Sequence, residues 1–129
     1  MKYDLRKNNE KTFRQYIGLK GEDAAAEALK SKGYVILERN YTVHNTGEID
    51  IIAGKDDDIH IFEVRTRLNA GTYPDSAESV MYSKRMKVIK TAEHYIQENR
   101  LYDRNVVFEV IKVTHDRHGN ILNIDFVPF

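Results

Sequence analysis

The chain has 129 residues, 41% of them apolar, which suits one domain around one buried core. Basic and acidic side chains number 20 each and cancel to a formal net charge of zero. That balance excludes a histone-like polybasic binder but leaves room for a local basic patch, and the absence of cysteine excludes disulfides and thiolate zinc sites.

Residues 1–11 are polar and lack the apolar stretch of a signal peptide. They are expected to form a flexible tail ahead of a single domain over residues 12–129. No apolar run approaches a membrane span, so the expectation is a soluble cytoplasmic protein. A first helix is predicted from Phe13 to Lys32, where Ile17, Ala24, Ala25, Ala28 and Leu29 recur at helical spacing and Gly33 supplies the stop. Glu22 lies near that apolar stripe and not opposite it. "YVILERNYTV" reads as a strand and "HNTG" as a turn. "GEIDIIA" and "IHIFEVRTR" are two more strands, joined by "GKDDD". "LNAGTYPDSAESV" is an irregular connection expected to end in a short helix. "SKRMKVIKTAEHYIQENR" is a second long helix, with Val88, Ile89, Ala92, Tyr95 and Ile96 on its apolar side. "NVVFEVIKVTHD" and "ILNIDFVPF" are two final strands joined at "RHGN". This order predicts an α/β fold, a mixed sheet of about five strands flanked by helices.

The second and third strands carry the charge. A turn centred between Asp56 and Asp57 pairs Lys55 with Asp58 and Gly54 with Ile59. The same register sets Asp50 opposite Glu63 and Glu48 opposite Arg65, with facing Cβ atoms roughly 5 Å apart. Strand alternation then places Glu48, Asp50, Glu63, Arg65 and Arg67 on one face. Two opposed carboxylates repel, and three things relieve them: a raised pKa, a bridging Arg65 or Arg67, or a divalent cation. If Arg65 pairs with Glu48, then Asp50, Glu63 and the carbonyl of Val64 offer hard oxygen ligands to Mg²⁺ or Mn²⁺. An ordinary charge network on the polar face of a hairpin accounts for the same residues without a metal. Lys84, Arg85, Lys87 and Lys90 crowd two turns of the second helix, with no acidic residue until Glu93. Such a patch, with Arg67, binds phosphates without sequence preference, although a solvated helix face is the plainer reading. The histidines suggest no zinc site; His44 and His60 are expected as local hydrogen-bond partners.

"GEDAAAEALKSKGYVILERNY", "GEIDIIA", "IFEVRTR" and "SKRMKVIKTAEHYI" together resemble the YraN-like family of small bacterial proteins. The resemblance covers residues 16 to 113. It implies a restriction-endonuclease-like core of the PD-(D/E)XK type, similar to archaeal Holliday-junction resolvases. It further implies a metal-dependent endonuclease acting on DNA, branched or single-stranded, with Mg²⁺ or Mn²⁺ as cofactor. Matched residue by residue, Asp50 and Glu63 stand at the acidic metal ligands. Glu22 stands at the helix acid that helps complete the metal site in related resolvases. The family's Glu-x-Lys reads Glu63-Val64-Arg65, and arginine stays protonated and cannot act as a base. Lys84 matches a helix lysine to which the missing function has migrated in some members of the fold. Glu109 stands where the family usually has aspartate. The departure at Arg65 gives the alternative expectation, a nucleic-acid-binding protein that keeps the nuclease fold without catalysis. Resolvase-like relatives act as dimers, so a homodimer or a protein partner is also implied.

Overall fold

The structure is a computed structural model that describes residues 10–69 and 82–129. The expected short helix before Tyr82 and most of the expected polar tail lie outside the described residues. Helix α1 spans Glu10–Ser31 and so takes in the last two residues of that tail. It ends at Gly33, whose φ of 93° is the left-handed conformation that favours glycine. Strands β1 (Val35–Val43), β2 (Gly47–Lys55) and β3 (Asp58–Leu68) follow, then helix α2 (Tyr82–Glu98), then β4 (Val106–His115) and β5 (Ile121–Pro128).

The five strands form one mixed sheet in the order β1-β2-β3-β4-β5. Every neighbouring pair is antiparallel except β3 and β4, which run parallel with α2 as the crossover between them. The expected α/β architecture is therefore present. Each helix buries its stripe on one face of the sheet. Ala25, Ala26 and Leu29 of α1 pack with Ile51, Ala53, Phe62, Ile111 and Val113. Val88, Ala92 and Tyr95 of α2 pack with Ile49, Ile52, Ile59 and Ile61. No helix among the described residues is long and apolar enough to cross a membrane.

The β2–β3 ladder keeps the expected register from Lys55–Asp58 through Ile51–Phe62 and stops there. The expected backbone pairs Asp50–Glu63 and Glu48–Arg65 are not part of it. Strict alternation also fails at this point. Ile51 packs on the α1 side of the sheet, whereas Ile49 packs on the α2 side. A matching interruption lies across the β1–β2 ladder, between the pairs Arg39–Ile51 and Tyr41–Ile49. Asn40 sits there with a φ of 53°, a conformation that asparagine tolerates better than most residues. Arg39 consequently reaches the carboxylates of α1, while Tyr41 meets Tyr95 of α2 edge-on at 5.3 Å.

Two glycines let the helices approach. A Cβ on Gly21 would overlap the Thr66 side chain of β3. A Cβ on Gly47 would lie 2.8 Å from Thr91 Oγ1 and 3.3 Å from the Lys87 carbonyl of α2. Both precede a glutamate, Glu22 and Glu48, so each close approach also sets a carboxylate beside the sheet. Gly18, one turn earlier in α1, has nothing within 4 Å of the same added atom. One substitution in one helix thus has two signs. Gly18→Ala should stabilise the fold by about 0.5–1 kcal/mol through helix propensity. Gly21→Ala should destabilise it by about 1–3 kcal/mol through overpacking. Urea unfolding of both variants checks this, and equal shifts would sink the packing account.

Candidate functional site

Where β2 and β3 part, the Val64 N–H loses a strand partner on the β2 side, and Asp50 Oδ2 accepts its hydrogen bond at 2.7 Å. A short acidic side chain at the end of a ladder does what the next backbone carbonyl would have done. The cost is electrostatic. Burial pushes the Asp50 carboxyl up from 3.8 to about 6, against the lowering effect of the Val64 N–H, and the nearby charges of Glu63, Glu22 and Glu48 push the same way. The expected direct pairing of Asp50 with Glu63 is absent from the backbone ladder, but both carboxylates line one cleft and Glu63 raises the proton affinity of Asp50.

Glu63 is 7% exposed, and Lys84 of α2 donates to its Oε1 in an ion pair. Its Oε2 is buried with no hydrogen-bond partner among the described residues. Asp50, Glu63, Val64 and Lys84 line a cleft of about 520 Å³ with Gly47, Glu48, Ser83 and Lys87. The close contact of Gly47 with α2 brings the lysines to the carboxylates.

Glu22 stands apart from this lining. Its Oε1 accepts from Arg39 Nε at 3.1 Å and from Asn40 Nδ2 at 3.0 Å, while Arg39 also binds Asp23 at 2.7 Å. Its charge nevertheless reaches Asp50. Arg65 is buried at 8% exposure and does not line the cleft. Arg67 is exposed and donates to the Thr66 carbonyl at 3.1 Å. Arg85 is half-buried, and its Nε has no hydrogen-bond partner among the described residues. Lys90 is exposed on α2, beyond the cleft. Five of the sequence-derived site residues, Asp50, Glu63, Val64, Lys84 and Lys87, therefore line the cleft, and Glu22, Arg65, Arg67, Arg85 and Lys90 do not.

Sequence reasoning missed four contributors. Ser83 carries no motif. Asn40 and Arg39 are legible only through the asparagine's tolerance of positive φ. Gly47 was in plain view in "GEID", but its packing role depends on which helix lies over it. His60 departs from the expected local hydrogen bonding. Its Nδ1 is buried without such a partner among the described residues, 3.9 Å from Glu109, and the ring stacks on Phe62 at 5.9 Å.

A divalent cation suits the cleft on the chemistry of its donors. Asp50, Glu63 and the Val64 carbonyl are hard oxygens, and the bare Glu63 Oε2 is a buried acceptor awaiting a partner. Among the described residues no three His, Asp or Glu side chains already converge on one point. Without a cation, Asp50 makes the fold pH-sensitive. Its folded pKa of about 6 lies above the ordinary 3.8, so the protonated form favours the fold, and that contribution fades as pH rises through 6. Ionised Asp50 then costs on the order of 3 kcal/mol at neutral pH. In a chelator, Asp50→Asn, which keeps an acceptor for Val64, should be more stable than the native chain at pH 8. The two should converge near pH 4, and a difference that does not change with pH in denaturant titrations would overturn this account.

Residues 21–113 match the model of an uncharacterised protein family, UPF0102. That span takes in Gly21, Glu22, the β2–β3 hairpin and all of α2. A UPF0102 protein of Dictyoglomus turgidum is 38% identical over 112 residues, covering 87% of this chain and 93% of that protein. A relative of the same name from Clostridium perfringens is 37% identical over 117 residues, 91% of this chain and 94% of its own. One from Persephonella marina is 40% identical over 107 residues, 82% and 90% respectively. With the family model spanning the whole cleft and these bacterial relatives aligned along nearly their full lengths, the chain belongs to the UPF0102 family, the YraN-like group that its motifs resemble.

Proposed function

We propose that this chain is a metal-dependent endonuclease-like protein of the bacterial cytoplasm. In this reading it hydrolyses phosphodiester bonds in DNA, branched or single-stranded, on a restriction-endonuclease-like core similar to that of archaeal Holliday-junction resolvases. One observation carries the reading: the ammonium of Lys84 meets Glu63 in the cleft that also holds Asp50. A lysine beside two acids is the set the family signature asks for, and here the lysine comes from α2 and not from the position of Arg65.

Asp50 and Glu63, with the Val64 carbonyl, would hold Mg²⁺ or Mn²⁺, and Glu22 would add negative charge from its place beside Arg39. The cation, when bound, supplies an acidified water and charge stabilisation at the phosphate. Lys84 offers a compact ammonium to a phosphate oxygen. Lys87, on the same helix and in the same cleft, extends that positive edge. Arg85, Lys90 and Arg67 would follow the nucleic-acid backbone further out, so affinity would fall steeply with salt. A second copy of this chain or another protein would widen a small DNA footprint.

The buried Arg65 favours a second reading. It fills the motif lysine's position and does not line the cleft. If Lys84 does not compensate, the chain binds DNA without cutting it.

Mn²⁺ calorimetry and a cleavage assay on branched and single-stranded DNA separate these readings. Asp50→Ala should abolish Mn²⁺ uptake and cleavage. Lys84→Ala should slow cleavage roughly 100-fold or more. Cleavage that persists in Asp50→Ala would sink the assignment, and DNA binding by a native chain that never cleaves would establish the second reading.

A further inference from the structure

We infer that Lys84 makes cation uptake and phosphate binding cooperative. In the ligand-free cleft it serves as the counter-ion of Glu63; a divalent cation displaces it, and the released ammonium takes a phosphodiester oxygen of DNA. This rests on the metal-dependent reading above and adds a coupling to it.

The asymmetry of the ion pair is the starting point. Glu63 is 7% exposed at its side chain and Lys84 is 60% exposed. A carboxylate that deep needs a positive partner, whereas the ammonium sits on a flexible stem at the rim and regains water easily when it leaves. Among the described residues only Oε1 is engaged, and the bare Oε2 leaves Glu63 short of partners even with Lys84 in place. Lys84 thus satisfies half of what Glu63 can accept.

A doubly charged ion between Asp50 and Glu63 satisfies more of that demand and repels the ammonium beside it. The displaced ammonium stays in a cleft that also contains Lys87, one helical turn away. Two lysines and a cation together leave a positive edge that an anionic phosphodiester neutralises. Cation and phosphate each favour the state in which Lys84 has left Glu63, so each tightens the other by the same factor.

The test is Mn²⁺ calorimetry on the native chain, Lys84→Met and Lys84→Arg, with and without a nuclease-resistant phosphorothioate oligonucleotide. Without DNA, Lys84→Met should bind Mn²⁺ roughly five- to tenfold more tightly than the native chain, because no internal cation competes. With DNA, the native chain should gain at least that factor and Lys84→Met should not, while Lys84→Arg should follow the native pattern. Equal or weaker Mn²⁺ binding by Lys84→Met overturns the coupling and leaves the metal-dependent reading standing. No Mn²⁺ uptake by the native chain, with or without DNA, overturns both.

Discussion

A backbone amide left over where two strands separate sets the terms for the whole cleft. Val64 must place its N–H, and the Asp50 carboxylate takes it. That contact buries an acid among Glu63, Glu48 and Glu22, and the surrounding elements answer with charge. Strand β1 sends Arg39 to Glu22, and α2 sends Lys84 to Glu63. Asp50 has the Val64 amide for a partner where Glu22 and Glu63 have cations, and burial together with these nearby acids raises its proton affinity.

Backbone geometry makes the arrangement possible. Asn40 interrupts the alternation of β1 opposite Asp50 and turns Arg39 and Tyr41 to different faces. Gly21 and Gly47 remove the methylene that would hold each helix away from the sheet. The two Gly-Glu pairs of the sequence are therefore contact points first, with the following glutamate carried into position by the close packing.

The architecture was readable because its signals are local. Helical spacing around Ala25 and Leu29, the turn at Asp56–Asp57, and the β-branched runs of the last two strands each specify an element without outside help. The register through Ile51–Phe62 was readable for the same reason, since the turn fixes it. The end of that ladder was not, because nothing in the turn marks it; a left-handed Asn40 in the neighbouring strand lies at the same level. Asp50, Glu63 and Lys84, which spacing and the resemblance singled out, do line one cleft. Arg65 does not. From spacing it faced Glu48 at the site, yet its burial and its absence from the cleft lining depend on elements that converge from elsewhere in the chain.

The parallel pairing of β3 with β4 has a kinetic side. The β2–β3 hairpin closes over a two-residue turn, whereas the ladder from Ile59–Val106 to Leu68–His115 closes only after α2 has crossed the sheet. Local contacts form early and non-local ones late. During folding, then, Asp50 and Glu63 approach before Lys84 is there to offset them. The acidic end of the hairpin, beyond its last ladder pair Ile51–Phe62, therefore draws together against its own charge. A chain with Glu63→Gln should accordingly refold faster than the native one in stopped-flow mixing, and an unchanged rate would show that the carboxylates meet only after α2 has docked. The same repulsion leaves two like charges facing each other on a half-folded chain until α2 arrives with Lys84.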